Sequence, residues 1–188
     1  MTRFIEVVSS SAGWSAAFEQ EAALLARVFG RSMVAIHHVG STAVPALLAK
    51  PIIDILVVLE ETESIGRFDE AMEALGYRVR RECLDAAVPG TPGRFYFSKD
   101  TRGVRTHHVH ACAAGHPEIV DKLAFRDYLR AHSQQAASYG QLKQRLALDH
   151  PHDNLGYMRG KDPFIKSLLE VARSWTRSVD AGSRNIEP

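Results

Sequence analysis

Cysteine is almost missing from this 188-residue chain. Cys83 and Cys112 are the only two, far apart and in no C-x-x-C arrangement. That excludes a disulfide framework and a cysteine-built zinc cluster, and it fits a reducing compartment. An excess of one charge is missing too. Lys+Arg 23 against Asp+Glu 22 gives a net charge of +1, so no global field would coat nucleic acid by phosphate neutralisation alone. Long apolar runs are absent. The opening MTRFIEVVSS lacks the core of a signal peptide, and charged residues interrupt every apolar stretch before it could span a bilayer. A cytoplasmic, soluble protein is expected, without membrane partners or general nucleic-acid binding. Repeats, heptads and low-complexity tracts are also lacking. What remains, 45% hydrophobic and 24% charged residues, is the balance of one compact domain able to bury a real core.

Apolar spacing through Trp14, Ala17, Phe18, Leu24, Leu25 and Val28 predicts an amphipathic helix from about 14 to 29, with Ser11 as its cap and Gly30 as its stop. Residues 33–39 read as a strand, followed by a turn at Gly40, Ser41 and Thr42 and a short helix over AVPALLA. The near-continuous apolar run IIDILVVLE after Pro51 predicts a strand covered on both faces and central in its sheet. Helical periodicity over 62–75 and the strand YRVR continue the alternation. A Pro/Gly loop from Leu84 to Gly93 leads into a hairpin, RFYFSKD and GVRTHHVHACA, turning around 100–103. Helices are expected over 117–131, 133–148 and 161–178, with a polar connection at 150–154. The organisation expected is one domain over 1–178, an α/β core to 115 and a helical part from 116 to 178. A flexible tail over 179–188 would follow.

The segment HHVGSTAVPALLAKPIIDILVV, residues 37–58, concentrates the chemistry. Gly40, Ser41 and Thr42 between a strand and a helix start would offer backbone N–H groups and hydroxyls to phosphate oxygens, and Lys50 would add a mobile positive charge. The plain alternative is that Ser41 or Thr42 merely caps a helix. It is not a P-loop, because G-x-x-x-x-G-K-[ST] is absent. Asp54 is the only charged residue inside IIDILVVL, and an ionised carboxylate there needs a cation or hydrogen-bond donors. A salt bridge to Lys50 or an arginine would serve, and so would a divalent metal or a substrate hydroxyl.

HVGSTAVPALLAKPIIDILV resembles the signature of the GrpB family, small bacterial proteins placed by similarity in the nucleotidyltransferase-fold superfamily of polymerase beta type. Agreement extends to HHVH at 107–110, FRDYLR at 125–130, Tyr139, Leu142 and Lys143, and Tyr157, Lys161, Phe164 and Ile165. The resemblance implies an α/β fold with a nucleotidyltransferase-like mixed sheet, flanking helices and a C-terminal helical part. It also suggests that Arg126 and Asp127 hold the helical part against the site. One departure is Ala46, where the family usually has glycine after V-P; a stiffer turn is the expected consequence.

Working nucleotidyltransferases of that superfamily pair a Gly-Ser helix start with two carboxylates one residue apart, holding two Mg²⁺. Here Asp54 stands alone, since its same-face neighbours Ile52 and Leu56 cannot bind metal. Thr106, His108 and His110 alternate onto one face of the hairpin, so Asp54, His108 and His110 form a candidate site for a divalent metal, Mg²⁺, Mn²⁺ or Zn²⁺. Imidazole favours the softer ions. His38 is a further ligand or general base, giving Asp54 and His38 as candidate catalytic residues. Gly40, Ser41, Thr42, Lys50 and Arg105 are the candidate phosphate or nucleotide contacts. Cys112 has no activating base in sequence and is not expected to be a nucleophile. Two functions follow from the resemblance. One is a metal-dependent nucleotidyltransferase acting on a nucleotide or phosphorylated small molecule. The other is a ligand-binding or accessory domain that kept the fold and lost the chemistry, an idea consistent with GrpB-type domains fused to a dephospho-coenzyme A kinase.

Overall fold

The computed structural model describes residues 4–63, 65–80 and 93–184. The expected Pro/Gly loop, apart from Gly93, and the last four residues lie outside them. Helix α1 (Gly13–Phe29) buries Trp14, Phe18, Ala22, Leu25 and Phe29 along one stripe. The Ser11 hydroxyl accepts from Gly13 N at 3.2 Å at its start, and Gly30, at φ 53°, ends it. Five strands form one sheet in the order β1-β2-β5-β4-β3. They are β1 (Met33–Val39), β2 (Ile53–Leu59), β3 (Tyr77–Val79), β4 (Arg94–Thr101) and β5 (Val104–Ala113). Only β2 and β5 run parallel, so the sheet is mixed. β2 is interior and buried along nearly its whole length, but the central strand is β5. The apolar run signals cover on both faces, and several strands in a sheet can satisfy that equally.

Strand parity sorts the chemistry. Ile55, Val57, Phe97, Val109 and Ala111 face α1 and form the larger core. The other face carries Leu56, Val58 and Cys112, packed against Ile119 and Leu123 of α3 (Pro117–Ala131). Asp54, His108 and His110 share that second face, while His107 turns the other way, toward Glu21 of α1.

Three expected elements differ. The periodicity over 62–75 divides into a 3₁₀ turn at Ile65–Phe68 and a short helix α2 (Asp69–Ala74). AVPALLA is not helical: a single 3₁₀ turn covers Ser41–Ala43, and Ala46 sits at φ 59°. The family's usual glycine would enter that left-handed region freely, so the departure at Ala46 stores backbone strain instead of only stiffening a turn. The last helix, α5, runs Asn154–Arg184, starting earlier than 161 and continuing beyond 178 into the expected tail, with Pro163 inside it.

Helix α4 (Ser133–Asp149) completes the helical part. Val44 and Leu47, from the segment after the 3₁₀ turn, are buried with Tyr128, Leu129, Tyr139 and Leu168 in one cluster. Arg126 clamps Asp127 with two hydrogen bonds, 2.7 and 2.9 Å, and donates a third to the His38 carbonyl at 3.1 Å. Arg130 donates to the Ala43 carbonyl at 2.8 Å. The FRDYLR segment thus ties the helices to the Gly-Ser-Thr turn.

Candidate functional site

Between the sheet face bearing Asp54 and helices α3 to α5 lies a cavity of about 680 Å³, within the usual size of small-molecule sites. Among the described residues its lining has one carboxylate, Asp54, and seven cationic side chains. Lys50, Lys143 and Lys161 stand on one side; Arg80, Arg94, Arg105 and Lys122 come from the hairpin, its approach and α3. Such an imbalance favours an anionic ligand.

Asp54 finds its partner in His108, directly opposite across the parallel ladder: Nδ1 lies 2.9 Å from Oδ1. Burial pushes the Asp54 carboxyl up, but the hydrogen bond and charge of His108, with Lys122 and Lys50, outweigh it and hold the group below the ordinary carboxylate value. Gly40 makes this placement possible. A Cβ there would collide with the Asp54 carboxylate, and the backbone sits at φ 72°.

Ser41 lines the cavity, and its hydroxyl accepts a hydrogen bond of 2.8 Å from Lys143 Nζ. Lys50 lies over the Tyr157 ring at 5.0 Å. Arg105 reaches the cavity wall but is engaged by Asp100 and by the Tyr96 hydroxyl. His110 faces the cavity, 8% exposed, with Nδ1 unbonded.

Two expected contacts sit elsewhere. Thr42 is buried and absent from the lining; its hydroxyl donates to the Ile52 carbonyl at 3.1 Å and meets His38 Nε2 at 3.0 Å. His38 stacks on Phe18 at 4.8 Å and is likewise missing from the lining. Burial drives its pKa down to about 4, with Arg130 and Arg126 adding to this against Asp54. Both residues brace the turn from behind. One strand position decides this, since His38 and Val39 point to opposite faces and Val39 takes the cavity side. The three-residue 3₁₀ turn Ser41–Ala43, in place of the expected helix start, has no appreciable dipole to offer a phosphate.

The expected metal triad is divided. His108 and Asp54 are in contact, but the His110 ring centroid is 6.5 Å from that of His108. Among the described residues, the His, Cys and carboxylate donors that gather within 4.8 Å of one another are Cys112, His116 and Glu118. That group suits a cation poorly. Burial and Glu118 push the Cys112 thiol up to about 12, and Glu118 is already paired with Arg94 at 3.3 Å and Lys122 at 3.1 Å.

Lys143 and Lys161 also line the cavity, beyond the contacts expected from the sequence. Their signal is a repeated Tyr-x-x-x-Lys, Tyr139 to Lys143 and Tyr157 to Lys161, which sets ring and ammonium on one helix face. The ammonium groups lie 4.5 and 4.6 Å from those ring centroids. Burial, then the charges of Lys161 and Lys50, bring Lys143 down to about 7 against the pull of Asp54. Burial and Lys50 bring Lys161 down to about 8.

The fold is thus an α/β chain with a mixed sheet, whose Gly-Ser turn stands beside Asp54, the one carboxylate among the described residues of a lysine-lined cavity. The chain belongs to the GrpB protein family, which its residues 4–171 match. It is 42% identical over 184 residues to the UPF0157 protein YqkA of Bacillus subtilis, covering 98% of this chain and 52% of that protein. The chain therefore spans about half the length of that relative. The crystal structure of the conserved protein GrpB from Enterococcus faecalis superposes with a TM-score of 0.84 at 38% identity, covering 91% of this chain and 99% of the other. A lesser likeness, TM-score 0.48 at 14% identity over 73% of this chain and 45% of the other, is to the Cid1 poly (U) polymerase bound to MgATP. It is too slight to carry a functional argument. No helix among the described residues is long and apolar enough to cross a membrane.

Proposed function

We propose that the protein binds a nucleotide or another phosphorylated small molecule in this cavity. One observation carries the reading: Lys50, Lys143 and Lys161 line the cavity together with Gly40 and Ser41, Lys143 bonded to the Ser41 hydroxyl, and among the described residues Asp54 is the sole carboxylate in the lining. Three ammonium groups packed together repel one another, and a phosphate chain is the ligand that relieves this. The Ser41 hydroxyl, held by Lys143, supplies a further polar contact, and Tyr157 and Tyr139 give the lysines fixed directions.

Asp54 and His108, 2.9 Å apart, suit a divalent ion that enters with the phosphates, as two protein ligands. Such an ion would neutralise charge on the phosphate oxygens and favour nucleotidyl transfer. The pair of carboxylates for two ions is not built, because Ile52 and Leu56 occupy the neighbouring same-face positions. That single observation favours the second reading, a binding or accessory module that kept the fold without the transfer chemistry.

The test is thermal denaturation and calorimetric titration of the full chain with ATP, GTP, CTP and UTP, each with and without Mn²⁺ or Mg²⁺. A native-state ligand raises the apparent melting temperature. Stabilisation by triphosphates that Lys143→Met removes is the expected result; no shift with any of them would reject the reading. Release of pyrophosphate in the presence of an acceptor separates the transferase from the binding module.

A further inference from the structure

The cationic wall opposite the lysines has a different construction. Its centre is His110 on β5, a side chain only 8% exposed whose Nδ1 is buried and, among the described residues, has no hydrogen-bond partner. A buried polar nitrogen left unbonded costs free energy, which a bound hydrogen-bonding group would recover. The Tyr96 ring packs against the imidazole at 5.3 Å and holds its direction. Arg94 and Lys122 flank it and share one carboxylate, Glu118, at 3.3 and 3.1 Å, so positive charge remains in excess. Burial, with Lys122, Arg94 and His108, keeps His110 well below the ordinary histidine value, and the neutral ring therefore offers one N–H donor and one acceptor.

Asp54, bonded to His108, lies within electrostatic reach of both groups of cations, Lys122 of one and Lys50 of the other. His110 lies two residues beyond His108 along β5, on the same face, and pairs in register with Leu56 and Tyr96. A cavity of about 680 Å³ leaves room for more than a phosphate chain.

We infer that this wall is a second ligand subsite, in which His110, Arg94 and Lys122 take the carboxylate or phosphate of a second small molecule. That molecule is an anionic acceptor, placed to meet the phosphorylated ligand beside Asp54 and His108. The acceptor role rests on the nucleotide reading above; the anion subsite itself does not.

The experiment uses the full chain with ¹⁵N-labelled histidine and records long-range ¹H–¹⁵N spectra. Inorganic phosphate and malonate are titrated separately, first alone and then with saturating α,β-methylene-ATP. The expected result is that the His110 nitrogens shift with one of the two anions while the nucleotide stays bound; the tighter anion identifies a phosphate or a carboxylate acceptor. His110→Phe and Arg94→Gln should each weaken that anion about tenfold or more, as expected for loss of a buried or charge-assisted hydrogen bond. Nucleotide affinity should stay within about twofold. Arg94→Gln leaves Lys122 on Glu118, so it tests the subsite even where His110→Phe disturbs folding. Competition between nucleotide and anion, or parallel loss of both in the variants, would overturn the second subsite. Anion binding at His110 without any nucleotide binding would sustain the subsite and reject the nucleotide reading.

Discussion

Lys143 Nζ donates a 2.8 Å hydrogen bond to Ser41 Oγ, joining residues 102 positions apart. The contact brings a lysine of the helical part onto the Gly-Ser turn that carries the family motif. Lys143 is only 2% exposed, so its charge is held in place at a cost to folding.

Lys143→Met is therefore expected to raise stability by about 1–2 kcal/mol, since an aliphatic chain replaces a buried ammonium. Triphosphate affinity should fall at least about tenfold. Urea denaturation and calorimetry measure the two. A variant both less stable and unchanged in binding would contradict the role given to this lysine.

Ligand binding should take up protons. Lys143 falls from 10.5 to about 7 and Lys161 to about 8, so part of each population is neutral near pH 7.5 and regains its proton beside phosphate. Affinity for ATP is expected to decline as pH rises from about 7 to 9. In the free protein the sign is opposite. The cost of burying these charges is fully present below about pH 7 and is relieved as pH rises toward 10.5, so the two lysines make stability climb across that window. Calorimetry in buffers of different ionisation enthalpy measures the uptake; an affinity flat from pH 7 to 9 would exclude it.

Asp54→Asn keeps the shape of the side chain and removes the one carboxylate among the described residues of the cavity lining. Binding of ATP without metal should tighten, because a negative charge near the phosphates is gone, while any enhancement by Mn²⁺ should vanish. Unchanged Mn²⁺ dependence in the variant would show that the ion is held elsewhere.

Gly40→Ala should be far more damaging than its size suggests. The new methyl would strike the Asp54 carboxylate at a backbone with φ 72°, at a cost of about 2–3 kcal/mol. Ala46→Gly is the converse: at φ 59° it relieves strain and should raise stability by about 0.5–1 kcal/mol, after the greater freedom gained by the unfolded chain is subtracted. Chemical denaturation of the two variants checks both signs.

His38 is expected to serve the fold and not the chemistry, since it packs behind the turn and outside the cavity lining. His38→Ala should lower the melting temperature through loss of its stack on Phe18, with ligand affinity little changed. With its pKa lowered to about 4, its burial is without protonation cost above pH 6.5 and becomes destabilising as pH falls from there toward 4. The parent should lose more stability than His38→Ala over that range.

The motif from His37 to Val58 was legible because strand parity is local: alternation alone puts Asp54, His108 and His110 on one face once β2 and β5 are paired. Parity also had the means to separate His38 from the cavity, yet a histidine beside a glycine-serine turn reads as functional until the covering helix is seen. The helix expected over AVPALLA failed for a related reason. Val44 and Leu47 are drawn into the cluster of Tyr128, Leu129 and Tyr139, and long-range burial of those two side chains outweighs the local preference of a small-residue run.

By itself the sequence determined the alternation of helix and strand, the buried run of β2 and the motif that carries the family resemblance, all of which rest on neighbours within a few residues. Only the tertiary structure decided which cations face Asp54. Lys143 and Lys161 lie about a hundred residues from the motif, and nothing in a helix's own periodicity says which partner its polar face will meet. Helix α3 is fixed to the turn by Arg126 on the His38 carbonyl and Arg130 on the Ala43 carbonyl, and α4 by Lys143 on Ser41; with α5 packed on both, scattered lysines become one electrostatic wall.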